Sequence, residues 1–210
     1  ERLHDMTQLI KRMSAFLLCL MLLMGAYTET ALAAPDWPSG VSVQAESGIV
    51  IDADTGTVLW GQNIHNQYFP ASITKIMTAL IVIEKCSLDE TVTFSHNAVF
   101  NVEAGSSNAG INEGDKLSVK DCLYALLLKS ANESANALAE HVAGSTEAFA
   151  DMMNAKAKEL GCTDTHFANP SGLNNPEHYT STYDMALIAR AAFLNPTFEE
   201  IDSTTYYKLP

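Results

Sequence analysis

Apolar and polar positions divide the chain into distinct blocks. Ile49-Val50-Ile51 and Val58-Leu59-Trp60 flank Asp54-Thr55-Gly56. This predicts a β-hairpin with glycine where the turn needs a positive φ. A polar link from Gly61 to Gln67 leads to Pro70. From there the chain is apolar almost without a break through Ile76, Met77, Ala79, Leu80, Ile81, Val82 and Ile83. The pattern predicts a helix that holds Ser72 and Lys75 and runs to about Lys85. A helix apolar nearly all round is a buried one. Thr91 to Phe94 reads as a short strand, and the Gly-, Ser- and Asn-rich stretch 101–114 as a loop.

Helices dominate the rest. Ser118 with Asp121 has capping-box spacing and opens a helix through Leu128 that ends near Lys129. A second begins around Glu133 and reaches Val142, closed by Gly144. A third runs from Ser145 to Leu160, closed by Gly161. Asn169-Pro170-Ser171-Gly172 is a turn cluster. Ser181 with Asp184 caps a last helix that ends before Asn195-Pro196. A lone hairpin is marginal in water, so further strands are expected elsewhere, beyond Pro210. By this reading the sequence is a fragment, poorly stable by itself.

The first 34 residues form a different block. Lys11 and Arg12 precede an apolar run from Met13 to Ala26, and Ala31-Leu32-Ala33 offers small residues for cleavage. This is the pattern of a secretory signal, here with an N-terminal extension, cleaved after Ala33 or Ala34. A transmembrane helix is the competing reading, but the run is short for a span. Residues 35–210 are then the exported part.

Residues 1–33 carry three basic and three acidic residues, so the remainder keeps the whole net charge of −13. Such a surface repels nucleic acid and offers no basic membrane patch. Cys86, Cys122 and Cys162 remain after the leader, an odd number without framework or metal spacing; free, mostly buried thiols are expected. No HExxH-type pattern occurs, and no metal or organic cofactor is expected.

The candidate chemistry starts at Ser72 and Lys75, which share one helix face. Burial lowers a lysine's pKa, and the positive helix N-terminus pushes the same way. A neutral Lys75 could take the proton of Ser72 and make it a nucleophile. The alternative is structural. About one S-x-x-K occurs by chance in a chain this long, Ser72 could cap the helix and Lys75 could reach water. Ser130 and Asn132 fall at the break between two apolar helices, where both could point into one cleft or simply cap the second helix. Ser134 and Asn136 repeat the S-x-N pattern inside that helix, away from the break.

In combination these motifs are more specific. "P-A-S-I-T-K-I-M-T-A-L", "L-L-K-S-A-N-E-S-A-N-A-L-A-E", "F-A-N-P-S-G-L" and "H-Y-T-S-T-Y-D-M-A-L-I-A-R-A" follow in order. From about Ala45 onward the chain resembles the penicillin-recognising serine enzymes. Within them it resembles the D-alanyl-D-alanine carboxypeptidases, the low-molecular-mass penicillin-binding proteins. The resemblance implies a mixed α/β (α+β) fold of the β-lactamase/DD-peptidase kind, a helical cluster packed on an antiparallel sheet. It implies Ser72 as acylated nucleophile, Lys75 as general base, Ser130 as proton relay and Asn132 as substrate-binding residue. The implied substrate is a peptidoglycan stem pentapeptide ending in D-Ala-D-Ala, with β-lactams as covalent inhibitors and no cofactor. The implied place is the cell wall or the outer face of the cytoplasmic membrane.

One departure is serious. The family's K-T-G triplet is absent from the 210 residues. Its expected place is beyond Pro210, as is that of any membrane-anchoring segment, and these residues alone are expected to be inactive. Two other readings compete. A serine β-lactamase shares the Ser/Lys pair, but the class A enzymes use a glutamate where residues 169–173 read Asn-Pro-Ser-Gly-Leu. A non-catalytic wall-binding relative would have no need of Ser72, Lys75, Ser130 and Asn132.

Overall fold

The computed structural model describes Gly40 and residues 43–210; the expected leader over 1–34 lies outside them. β1 (Gly48–Ile51) and β2 (Val58–Gln62) form the expected antiparallel hairpin, with a bulge between Val50 and Ile51. Gly56 sits at φ 76°, where a glycine is least strained. The hairpin is covered by α6 (Thr182–Phe193), which packs on β1. From this helix Arg190 donates from Nε to the Ala53 carbonyl (2.7 Å) and from Nη2 to the Asp54 carbonyl (2.6 Å).

Two further antiparallel pairs correct the expectation that the hairpin is the chain's whole share of sheet. β3 (Gln67–Tyr68) pairs with β6 (Thr180–Ser181), and β4 (Thr91–Thr93) with β5 (Lys116–Ser118). β4 is the short strand expected at 91–94; β3, β5 and β6, of two or three residues, are too short to show a period in sequence.

The helix expected to contain Ser72 is divided. Ala71–Ile73 is a 3-10 turn and α1 (Thr74–Lys85) begins after it. Two short helices were not expected. Ser95 caps α2 (His96–Phe100), its Oγ accepting from the Ala98 N–H at 2.9 Å. Asn195 caps α7 (Pro196–Asp202), with proline at a position whose N–H has no helical partner. Asn195-Pro196 thus ends one helix and starts another, so α6 is not the last. The remaining helices follow the caps read from sequence. α3 (Val119–Leu128) carries the Ser118/Asp121 capping box, and α4 (Asn132–Ala143) is closed by Gly144 at φ 84°. α5 (Thr146–Glu159) is capped by Ser145.

α1 is the centre of the molecule. α3, α4, α5, α6 and α7 all pack against it. Met77, Ala79, Leu80, Ile81 and Val82 on it are buried. Burial on all sides is what its uninterrupted apolar run demanded, since each fully buried aliphatic side chain contributes about 1.5–3 kcal/mol. Cys86, Cys122 and Cys162 are free thiols; Cys122 is buried and the other two are half-buried.

Leu80 tests the central role of α1. Leu80→Ala is expected to lower the unfolding free energy by about 2–5 kcal/mol, read by chemical denaturation of the full-length protein. A loss under about 1 kcal/mol would mean that the site collapses freely and α1 is not the packing centre.

Candidate active site

The site forms where three segments meet: the 3-10 turn into α1, the start of α4, and the turn at residues 169–173. Ala71, at φ 51°, lifts the chain into the 3-10 turn and leaves Ser72 exposed. One turn on, Lys75 is only 2% exposed. Its ammonium donates to Asn132 Oδ1 (2.7 Å), to the Ser171 carbonyl (2.6 Å) and to Ser72 Oγ (3.4 Å).

This geometry removes the structural alternatives that the sequence left open at Ser72 and Lys75. Lys75 does not reach water. Neither the 3-10 turn nor α1 has a side-chain cap, so Ser72 is not spent as one. α4 has Ala131 at its N-cap and no side-chain cap either. Asn132 instead turns its amide oxygen to Lys75, while its backbone N–H donates to the Ser107 carbonyl (3.0 Å).

Ser130 occupies the left-handed region at φ 57°, at the junction of α3 and α4. Its hydroxyl is buried without a hydrogen-bond partner among the described residues. Ser72, Lys75 and Asn132 are therefore joined by direct hydrogen bonds, and Ser130 is not. A strained backbone and an unpartnered buried hydroxyl both cost stability, a combination typical of functional positions. Asn136 is structural, donating to the Ala98 (3.3 Å) and Asn101 (3.2 Å) carbonyls. Ser134 is buried within α4.

Burial pulls the Lys75 pKa down to about 8, against the opposing pull of the Glu133 carboxylate. At pH 7 the neutral amine is then about a tenth of the population, roughly 300 times its share at an ordinary lysine. The sequence-level expectation of a neutral Lys75 is corrected to this extent: the charged form still predominates at neutral pH. Glu133, 2% exposed, accepts from the Ala109 N–H at 2.6 Å.

The turn at 169–173 was legible as a turn but not as part of the site. Asn169 Oδ1 accepts from the Ser171 N–H (3.2 Å) and the Gly172 N–H (2.7 Å), and its Nδ2 donates to the Leu173 carbonyl (2.9 Å). This folding aims two consecutive carbonyls at α1: Ser171 accepts from Lys75, and Pro170 accepts from Thr78 Oγ1 at 2.7 Å. Gly172, at φ 84°, lies so close that a Cβ would stand 1.9 Å from the Ala71 carbonyl oxygen.

His178 adds another tie. Its Nδ1 accepts from the Ala168 N–H (3.0 Å), so Nε2 carries the hydrogen and donates to Thr74 Oγ1 (2.8 Å). Burial, with a smaller push from His166, lowers its pKa to about 4 and keeps it neutral. A polar cleft of about 380 Å3, lined in part by Asn101, Glu103, Asn136 and the 169–173 turn, does not include Ser72 or Lys75. The site is marked by its hydrogen bonds, not by cavity size.

Gly172 offers a sharp test. Gly172→Ala is expected to cost about 3 kcal/mol or more, from the clash with Ala71 and the left-handed backbone together, measured by denaturation. A neutral result would mean that the turn does not rest on α1 as described.

Comparison with known proteins agrees with this geometry. The family described as D-alanyl-D-alanine carboxypeptidase matches residues 29–209. D-alanyl-D-alanine carboxypeptidase DacF of Bacillus subtilis is 37% identical over 185 residues, which is 85% of this chain and 46% of that protein. DacD of Escherichia coli is 36% identical over 165 residues, 75% of this chain and 42% of that protein. The chain thus spans about half the length of the curated relatives it matches. Among solved structures, penicillin binding protein 6B of Escherichia coli superposes with a TM-score of 0.75 at 35% identity, covering 80% of this chain and 56% of that one. DacD of Francisella tularensis gives 0.75 at 36% identity, covering 84% and 45%. The expected α/β fold of the penicillin-binding, DD-peptidase kind is the fold observed, and this chain belongs to the D-alanyl-D-alanine carboxypeptidase family.

Proposed function

We propose that the full-length protein is a serine-type D-Ala-D-Ala carboxypeptidase that removes the terminal D-alanine from peptidoglycan stem pentapeptides through an acyl-enzyme on Ser72. The observation that carries this reading is the set of partners around the Lys75 nitrogen. Two of its three neighbours, Asn132 Oδ1 and the Ser171 carbonyl, can only accept hydrogen bonds. A neutral amine has two hydrogens and one lone pair. With both hydrogens held by these acceptors, the lone pair is left facing Ser72 Oγ. Lys75 is thereby oriented as a base towards the one exposed hydroxyl in the cluster.

The reaction follows from this arrangement. Ser72 Oγ attacks the carbonyl carbon of the penultimate D-alanine and Lys75 takes its proton. The peptide C–N bond breaks, and the departing D-alanine nitrogen receives a proton. Ser130 carries that proton from Lys75, a role for which its unpartnered hydroxyl is free. Water then hydrolyses the ester and regenerates Ser72. Asn132 binds the substrate amide as well as Lys75. Penicillins, which present a strained amide to the same serine, acylate Ser72. The family's K-T-G triplet does not occur in this sequence, and no step of this reaction is assigned to it.

An exported location, with residues 1–34 as leader and N-terminal extension and residues 35–210 as part of the catalytic domain, goes with a peptidoglycan substrate. Among the described residues no helix is long and apolar enough to cross a membrane.

Two measurements test the proposal. Fluorescent penicillin should label the full-length protein covalently, and Ser72→Ala should abolish the label; persistent labelling would refute the nucleophile. The acylation rate should rise with pH and level off above about 8, because the neutral form of Lys75 is the base. Lys75→Ala should slow acylation by about 100-fold or more and remove that pH step. An unchanged profile in the variant would assign the base elsewhere.

A further inference from the structure

The far end of the same two helices holds a second cluster of reactive side chains. Cys86 follows α1, Glu90 precedes β4, and His141 lies in the last turn of α4. Among the described residues, their ligand atoms all lie within 4.8 Å of one another. His141 Nε2 already faces Glu90 Oε2 at 2.9 Å. The other Glu90 oxygen accepts from the Ser87 N–H at 2.6 Å, which fixes the carboxylate's orientation. Cys86 is a free, half-buried thiol.

We propose that Cys86, Glu90 and His141 form a binding site for a divalent transition metal of the zinc class, with water as the fourth ligand. Sulfur, imidazole nitrogen and carboxylate oxygen are the donors that zinc accepts. Tetrahedral bonds of about 2.0–2.3 Å place neighbouring ligand atoms roughly 3.3–3.7 Å apart. The His141–Glu90 pair needs to open by only a few tenths of an ångström, and the thiol to close by no more than about 1.5 Å.

On binding, the thiol gives up its proton to solvent and the thiolate bonds the metal. The hydrogen on His141 Nε2 is replaced by the metal, and the neutral ring carries its hydrogen on Nδ1.

The location points to a clip, not to catalysis. Cys86 is eleven residues beyond Lys75, about 16 Å along the helix axis. α1 and α4 begin with Lys75 and Asn132 bonded to each other, and the metal would join their opposite ends. This inference does not depend on the proposed reaction, and its test does not use it.

Metal-free full-length protein is titrated with Co2+ and then with Zn2+. A thiolate-to-cobalt charge-transfer band should appear, saturate at one equivalent and disappear as Zn2+ displaces Co2+. Zn2+ should also raise the melting temperature. Cys86→Ser should lose the band, and His141→Ala should lose saturable Zn2+ binding. Melting curves without metal establish that each variant is folded. Absence of the band in the parent protein, or its survival in Cys86→Ser, would overturn the proposal. So would undiminished Zn2+ binding by folded His141→Ala.

Discussion

The hydrogen bonds of the Lys75 ammonium organise this molecule around its candidate chemistry. A cation buried to 2% exposure is costly unless its donors are satisfied. Asn132 Oδ1 and the Ser171 carbonyl meet that need and in doing so tie α1 to the start of α4 and to the 169–173 turn. Neither acceptor is charged. The lysine is therefore held in place without the strong upward pull on its pKa that a paired carboxylate would exert. Glu133 supplies only a partial counterweight, and burial prevails. Its position and its lowered pKa come from one arrangement.

The turn at 169–173 is the least conspicuous of the three segments and the most constrained. Asn169 folds it, Pro170 and Ser171 contribute carbonyls to α1, and Gly172 permits an approach that no other residue allows. Thr74 and His178 secure the same contact by a second route. A four-residue motif is thereby used in full: one side chain that folds it, two carbonyls and one missing Cβ. The polar atoms that α1 buries, Thr74, Lys75 and Thr78, all find partners along this one seam.

α1 and α4 link this seam to the rest of the fold. Both begin in the site and both are buried along much of their length by apolar neighbours. Their first residues are held together by polar bonds, and their bodies by packing. The order is inverted relative to a common surface helix, whose polar groups face water and whose ends are capped by their own side chains. Here the uncapped starts free Ser72 and Asn132 for other work.

Much of this was legible in the sequence because it rests on local rules. The apolar run after Lys75 implied a buried helix, and Ser118, Ser145 and Ser181 marked helix starts through their own backbone bonds. The Ser72–Lys75 spacing also follows from helical periodicity alone. Other features depended on partners distant in the chain. β4 was legible as the strand at 91–94, but its partner β5 and the two-residue ladder β3–β6 lack enough residues to show alternation and exist only through their pairing. The carbonyl of Ser171, 96 positions from Lys75, carries no side-chain signature at all. Whether Ser72 and Asn132 cap their helices or turn to Lys75 also had to wait for tertiary contacts, because a short polar side chain bonds whichever partner the fold brings within reach. Sequence determined which residues could do the chemistry. The packing of α1 against α4 and the 169–173 turn decided which of them meet.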